Sequence, residues 1–316
     1  MLRLKLLVNP ASDRGRTAQI GEALQALLQE RAAVALEKGQ RYELDWMLTT
    51  HPGHATELAQ LAAKDGFDIV VAVGGDGTVH EVVNGLMTIE AKKRPVLGII
   101  PVGTGNDFAH NLGMTTDQSE AAHRLFSEKS RLIDVGLISD GKGRQEYWDN
   151  TVGIGFSGAV NIATRKRTRA RGFIVYLVSV VETILLRPPT IQARIQIDDQ
   201  PVTDRPISMI SLCNGPREGG GFPVAPHAVM DDGLITCMIM RGMSRFLMLY
   251  FLPIVMGANH LKYKRSFEEN TISRIHIEAD QTLAIHVDGE IFGSWEADVR
   301  QVDASIIPAA IKVMCG

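Results

Sequence analysis

Residues 74–78 read Gly-Gly-Asp-Gly-Thr and residues 103–106 read Gly-Thr-Gly-Asn; each stretch follows an apolar run and leads into a helical pattern. Glycine lets a main chain come close to a ligand and take positive φ. A strand-to-helix turn also presents backbone N–H groups at the positive end of a helix dipole, which suits phosphate. Gly74, Gly75, Gly77 and Thr78 therefore read as a phosphate cradle, with Gly103, Thr104 and Asn106 as a second polar surface. For either loop alone, a plain tight turn is the alternative. Asp76 adds a constraint. A carboxylate inside a phosphate loop repels its ligand unless a cation lies between them, so Asp76 predicts a divalent ion, Mg²⁺ held through water. An Asp that merely caps the turn is the competing reading. Thr78 and Glu81 have the T-x-x-E spacing of a capping box. No G-x-x-x-x-G-K-[ST] occurs, so no Walker lysine serves the site.

These loops need a scaffold. Up to residue 133, apolar runs such as "LRLKLLVN", "DIVVAV" and "RPVLGIIP" alternate with helical stripes such as Ile20, Leu24, Leu27 and Leu28. Continuous apolar strands separated by helices imply a parallel sheet covered on both faces, an α/β domain whose ligands gather at the carboxyl ends of the strands. From residue 134 the period changes to two. "TIQARIQID", "RIHIEAD" and "TLAIHVDGE" alternate apolar and polar residues, as half-buried antiparallel strands do. Two apolar stretches, 173–186 and 246–257, fall short of the roughly 20 residues that cross a bilayer, and they contain Glu182 and Pro253.

With 316 residues, 45% hydrophobic and 22% charged, the chain can bury the cores of two domains. A net charge of −3 offers no general attraction to nucleic acid. Cys213, Cys237 and Cys315 have no metal or redox spacing and fit a reducing cytoplasm. The N-terminal apolar run ends at Pro10, too soon for a signal-peptide core.

The stretches "NPASDRGR", "TTHPGHATELA", "GGDGTVHEVVNGL", "GIIPVGTGNDFAHNLGM", "IDVGLI", "GIGFSGAV", "APHAVMDDGLI" and "HVDGE" occur in this order over nearly the whole chain. Together they resemble the motifs of the diacylglycerol kinase catalytic family, which includes bacterial lipid kinases, sphingosine kinases and ceramide kinase. "GGDGT" alone is shared with NAD kinases and 6-phosphofructokinases; "GTGNDFA" and "DGE" point to the lipid kinases. The resemblance implies an α/β N-terminal domain with a nucleotide-binding parallel sheet (1–133), like that of NAD kinase and phosphofructokinase. It also implies a C-terminal β-sandwich (134–299), with 300–316 returning to the first domain.

Carried over by motif, Asn9, Ser12, Gly15 and Arg16 look like a first nucleotide-contacting turn, and Thr49, in preference to Thr50, like a threonine that touches ATP. Gly74 to Thr78 would hold phosphates, with Gly103, Thr104 and Asn106 completing the ATP cleft. Asp134 resembles an acid facing that cleft from the domain junction, and Asp288 and Glu290 the pair that supplies the base. Glu290 leads as proton acceptor, with Asp288 left open beside it; a plain Asp-Gly hairpin is the alternative for this turn. The loop 229–234 resembles a metal loop, with Asp232 and the carbonyls of Val229 and Leu234 as Mg²⁺ ligands.

The activity so implied is ATP- and Mg²⁺-dependent phosphorylation of a hydroxyl on a lipid such as diacylglycerol, by a cytoplasmic protein peripheral to the membrane. The basic run 164–172 beside an apolar helix suits an anionic lipid surface, or is only a solvated loop. Two other readings are kept: a kinase for a soluble acceptor such as NAD, and a nucleotide-binding regulator without turnover. Partners are then ATP and the lipid, not nucleic acid; a homodimer is allowed for, and no motif decides it.

Overall fold

The computed structural model describes residues 1–115, 117–127, 129–167, 173–187 and 190–315. The chain divides into two compact units, 1–133 with 309–316, and 134–308.

The first unit runs β1 (Leu2–Val8), α1 (Arg16–Glu37), β2 (Tyr42–Leu48), α2 (His54–Lys64), β3 (Ile69–Gly74), α3 (Asp76–Met87), β4 (Val96–Pro101), α4 (Asp107–Asn111) and α5 (Gln118–Arg124). Its strands pair in parallel in the order β4, β3, β1, β2. All six residues of β3 are buried, as a strand covered on both faces requires. Leu24 and Leu28 of α1 pack on Leu4, Leu6, Val71 and Ile100, with Ile20 and Leu27 half-buried beside them. The stripe read from α1 is thus its core face.

The capping box expected from Thr78 and Glu81 does not form. Helix α3 already begins at Asp76 after an extended Gly75, which puts Thr78 inside the first turn. Its hydroxyl accepts from Asn9 Nδ2 at 3.1 Å instead. Glu81 turns to the neighbouring helix, whose N-terminus has no side-chain cap of its own: its two oxygens accept from the Gly53 and Ala55 amides at 2.9 and 3.0 Å. Orphan N–H groups and a positive dipole end draw the carboxylate there.

The second unit contains β5 (Ser130–Ser139) from Asp134 onward, β6 (Gln145–Trp148), β7 (Thr151–Gly155), α6 (Phe156–Arg165), α7 (Phe173–Leu186), β8 (Ile191–Ile197), β9 (Thr203–Cys213) and β10 (Ile235–Arg241). After these come α8 (Arg245–Met256), β11 (Phe267–Ile272), β12 (Arg274–Ala279), β13 (Ile285–Val287), β14 (Glu290–Gly293) and the first part of β15 (Gln301–Met314). Pairing is antiparallel in the order β14, β13, β7, β9, β8, β12, β15, with β10 also on β9 and β11 on β10. Ile191, Ala193 and Ile195 of β8 point inward and Gln192 and Arg194 outward, as the alternation predicts. β13 departs from it: all three residues are buried. Helix α6 lies over this strand so closely that a Cβ on Gly158 would sit 2.2 Å from the Ala284 carbonyl.

β15 first pairs antiparallel with β12 and then, at Val313, in parallel with β4. The segment belonging to the first unit is therefore 309–316, shorter than the 300–316 expected. Among the described residues no helix is long and apolar enough to cross a membrane. α7 and α8 instead bury Val180, Ile184, Met248 and Phe251 against Met209 and Met238 of the sheet.

Candidate functional sites

In the first unit, β3 and β4 are neighbours, so the loops that follow them meet. A Cβ on Gly103 would lie 2.4 Å from Gly75 Cα, and one on Gly75 would lie 3.0 Å from Gly103 Cα. The loops touch backbone to backbone, which only two glycines allow. A Cβ on Gly74 would meet Thr78 Oγ1 at 2.3 Å and Ser12 Oγ at 3.0 Å, and the Asn9 carboxamide oxygen accepts from the Ala11 amide at 3.0 Å. Asn9, Ser12, Gly74 and Thr78 thus converge at the carboxyl ends of β1 and β3. Asn106, left-handed at φ 51°, closes the second loop on itself: it accepts from Gly103 N–H at 2.9 Å and donates to Gly103 O at 2.7 Å. The Thr104 hydroxyl donates to Asp13 at 3.2 Å.

Gly77 lies in the first turn of α3, and Gly15, at φ 86°, starts α1; the side chain of Arg16 lies outside the described residues. Thr49, at the end of β2, is buried and donates its amide to Val8 O at 2.8 Å, whereas exposed Thr50 is tied to His54. Asp76 Oδ1 accepts from the Phe108 amide at 3.1 Å, so this acid also fastens α4 to α3. A backbone cradle with no room for Cβ atoms and a hard carboxylate oxygen beside it is a donor set that suits a phosphate with Mg²⁺.

In the second unit, Asp288 and Gly289 have φ of 48° and 86° and form the two-residue turn between β13 and β14. The hairpin and the expected acidic pair are thus one feature. The two acids have different surroundings. Asp288 accepts three backbone amides, from Asp149, Asn150 and Thr151, at 2.9, 3.0 and 2.8 Å. Glu290 is half-exposed and paired with Arg165, whose Nε also donates to Gly289 O at 3.1 Å.

Asp134 is 1% exposed, and its Oδ2 accepts from the Gly233 amide at 2.7 Å. The expected acid and the expected metal loop, distant in sequence, are therefore a single construction. Asn214 braces it by donating to the carbonyls of Asp134 and Asp149 at 2.9 and 2.8 Å. Within the loop, exposed Asp232 accepts from Leu234 N–H at 3.0 Å, and Val229 and Leu234 are exposed. The Asp232 carboxylate and the main-chain carbonyls of Val229 and Leu234 are hard oxygen donors of the kind that could hold Mg²⁺.

Two family models match the chain: the diacylglycerol kinase catalytic domain over residues 3–138 and the YegS C-terminal NAD kinase beta sandwich-like domain over 150–315. A YegS-like lipid kinase of Chromohalobacter salexigens is 31% identical, over 87% of this chain and 84% of that protein. A diacylglycerol kinase of Bacillus subtilis is 28% identical, over 93% and 91%. The chain belongs to the diacylglycerol kinase catalytic family. Its fold is similar to the crystal structure of a diacylglycerol kinase from Bacillus anthracis (TM-score 0.71, 21% identity, 99% of this chain and 97% of that one). It is also similar to an NAD kinase from Archaeoglobus fulgidus in complex with ATP (TM-score 0.53, 13% identity, 99% and 94%). The α/β first unit and the β-sandwich second unit are the architecture the motifs imply.

One group in this lipid-kinase fold escapes sequence reading. Ser157 Oγ lies 2.8 Å from Glu218 Oε1 and 2.9 Å from His286 Nε2, and all three residues are buried. The Gly289 amide donates to His286 Nδ1 at 3.3 Å. An amide can only donate, so Nδ1 accepts and the neutral ring carries its proton on Nε2, which fixes every direction: Gly289 N–H to His286, His286 to Ser157, Ser157 to Glu218. This is not a nucleophilic triad, because the acid sits on the serine and the histidine cannot take the serine proton. A Cβ on Gly153 would come 2.2 Å from His286 Nε2 and 2.4 Å from Ser157 Oγ, so glycine there makes the meeting feasible.

Burial pushes the His286 imidazole down to about 4, with Asp288 opposing and Arg165 adding to the shift. The folded ring stays neutral while the unfolded ring takes up a proton below about 6.5, so stability falls as pH drops through that window. Between pH 7.5 and 5.5 the loss due to this group is about 1 kcal/mol. Urea unfolding of wild type and His286→Gln at both pH values checks it: the variant should lose less stability on acidification than wild type.

Proposed function

We propose that this chain is a kinase that uses ATP and Mg²⁺ to phosphorylate a hydroxyl of a lipid, of the diacylglycerol type in the broad sense, as a cytoplasmic enzyme peripheral to the membrane. The carrying observation is within the second unit. A cavity of about 60 Å³ is walled by Met209, Met238, Met240, Met248, Phe222 and Phe251, and Ser157 on its wall is hydrogen-bonded to His286, just before the Asp288–Glu290 turn. Methionine walls re-pack around a flexible chain at little cost. A soluble acceptor such as NAD has no use for such walls.

In the first unit, the amides and small residues of Gly74–Thr78, with Gly103, Thr104 and Asn106, would hold the phosphates. Asn9, Ser12, Gly15, Arg16 and Thr49 would line the rest of the nucleotide site. Asp76, and in the second unit Asp232 with the carbonyls of Val229 and Leu234, would hold Mg²⁺. The ion, when bound, offsets negative charge on the phosphate oxygens. Asp134 would hold the 229–234 loop in shape through Gly233. Glu290 would orient the lipid hydroxyl and take its proton, while Asp288, committed to three amides, would set the turn that presents Glu290.

Both α7 and α8 expose apolar side chains, with Ile174 75%, Phe246 85% and Tyr250 56% accessible, which supports contact with a lipid surface. The basic run lends less support than its composition suggests: Arg165 pairs with Glu290 and Arg167 with Glu182, and 168–172 lie outside the described residues.

Incubation with γ-labelled ATP, Mg²⁺ and a mixed lipid extract, with a parallel lipid-free reaction containing NAD, tests the reading. Label in a chloroform-soluble product is the expected result. Label only in NAD, or bound nucleotide with no transfer to either, would replace it.

A further inference from the structure

Helix α6 ends on Arg165, and a cation in a last helical turn complements the negative end of the dipole. The contacts of this side chain go beyond that. Its Nε donates to the Gly289 carbonyl at 3.1 Å while Nη2 pairs with Glu290 Oε1. These two N–H groups share one edge of the planar guanidinium, so Arg165 forks across the backbone of the β13–β14 turn and the acid that follows it. One turn earlier on the same face of α6, Asn161 Nδ2 donates to the same carbonyl at 2.9 Å. The Gly289 amide donates in turn to His286 Nδ1 at 3.3 Å. Being part of the basic run does not give an arginine this place: Arg167, two residues on, pairs with Glu182 of α7.

A half-exposed glutamate left to itself samples many rotamers, and a proton acceptor is effective only at a fixed bearing on the proton it takes. The rest of the turn is anchored: Asp288 by three amides, Gly289 through both its N–H and its C=O. Arg165 extends that anchoring to the Glu290 carboxylate. Resting on the reading of Glu290 as proton acceptor, we propose that Arg165 is a positioning residue for phosphoryl transfer, which holds the Glu290 carboxylate against the backbone of its own turn. In the transfer the lipid hydroxyl oxygen bonds the γ-phosphorus, the bond from that phosphorus to the β–γ bridging oxygen of ATP breaks, ADP leaves with the electron pair, and the hydroxyl proton passes to Glu290. Arg165 engages Oε1, so Oε2 receives that proton. Lysine is no equivalent, because an ammonium is a point charge without the rigid fork that spans a carbonyl and a carboxylate. An ion pair between groups this exposed adds little to stability. The contribution of Arg165 therefore falls on the rate and not on the fold.

The test is a double-mutant cycle with the full chain, read as transfer from γ-labelled ATP to the mixed lipid extract in detergent micelles at saturating Mg²⁺. Arg165→Gln should lower the maximal rate at least about 10-fold, with KM for ATP within about twofold of wild type and the melting temperature unmoved. In a Glu290→Gln background the same substitution should cost no more than about twofold, because the group it acts through is already gone. Arg165→Lys keeps the charge without the fork and should fall between Arg165→Gln and wild type; it takes the place of Arg165→Gln in the cycle if that variant fails to fold. A merely structural role would cost the same factor in both backgrounds. An unchanged rate in Arg165→Gln, equal losses in the two backgrounds, or a full rate in Arg165→Lys overturns the assignment while leaving the kinase reading standing. So does a faster Arg165→Gln, which would make the ion pair a latch on the base, and so does a fully active Glu290→Gln. Transfer to no lipid by wild type overturns the kinase reading itself.

Discussion

Asp76→Asn is expected to slow phosphoryl transfer at least about 100-fold without loosening the fold. The separation of these two effects follows from the geometry. The carboxylate accepts the Phe108 amide through Oδ1. Asparagine keeps an oxygen of the same shape there, so the link between α3 and α4 survives, and what is lost is the negative charge. If that charge holds a dication against the phosphates, the variant should require at least about tenfold more Mg²⁺ for half-maximal rate, and its melting temperature should match wild type within a few degrees. Steady-state rates across a Mg²⁺ titration, with a thermal melt of the same preparation, decide the matter. Wild-type rate with an unaltered Mg²⁺ requirement would mean that Asp76 is only a brace for α4.

The second large effect separates the two acids of the β13–β14 turn. Glu290→Gln should lower kcat by about 100-fold or more, as loss of a proton acceptor does, with nucleotide affinity and melting temperature little changed. Asp288→Asn should do the reverse in emphasis. Its carboxylate accepts three amides, and an asparagine turns one of its two acceptors into a donor that faces an N–H group. Charge-assisted hydrogen bonds of this kind contribute about 1.5–3 kcal/mol each, so the variant should unfold at clearly lower urea concentration. Matched unfolding curves and single-turnover rates for the two variants give the comparison. A fully active Glu290→Gln, or a stable but inactive Asp288→Asn, would hand the proton to Asp288.

How far these sites could be read in the chain depends on the range of the interaction. The glycine loops were legible because a strand-to-helix turn is local, and the parallel order followed from apolar runs separated by helices. That order is enough to bring Gly75 and Gly103 together. The turn at Asp288 and Gly289 was legible as a hairpin for the same reason. Glu81 was misread because a local spacing matched a capping box, while the N-terminus of α2 competed for the same carboxylate from far along the chain. The division of labour between Asp288 and Glu290 stayed open, since their identities and spacing are silent about which carboxylate is already committed to backbone amides.

Asp134 shows the same limit from another side. Its motif marked it as an acid of interest, yet its bond to Gly233 joins residues 99 positions apart. Ser157, Glu218 and His286 carried no sequence signal together, because a serine, an acid and a histidine far apart in the chain have no spacing to recognise. The small residue at Gly153, which a Cβ would turn into a clash with both His286 and Ser157, is the nearest thing to a trace, and it is legible only afterwards.

The chain alone thus determined what depends on neighbours in sequence: the two architectures, the glycine turns with their acid, and the family motifs in order. Tertiary structure alone decided which charges are spent and which remain available. Glu81 went to another helix, Asp288 to three amides, and Glu218 to the wall of an apolar cavity. The reason is that hydrogen bonds and burial act through space over a few ångströms, whereas periodicity and turn chemistry act along the backbone over a few residues. A side chain's type is written in the sequence; the partner that consumes it is chosen by packing.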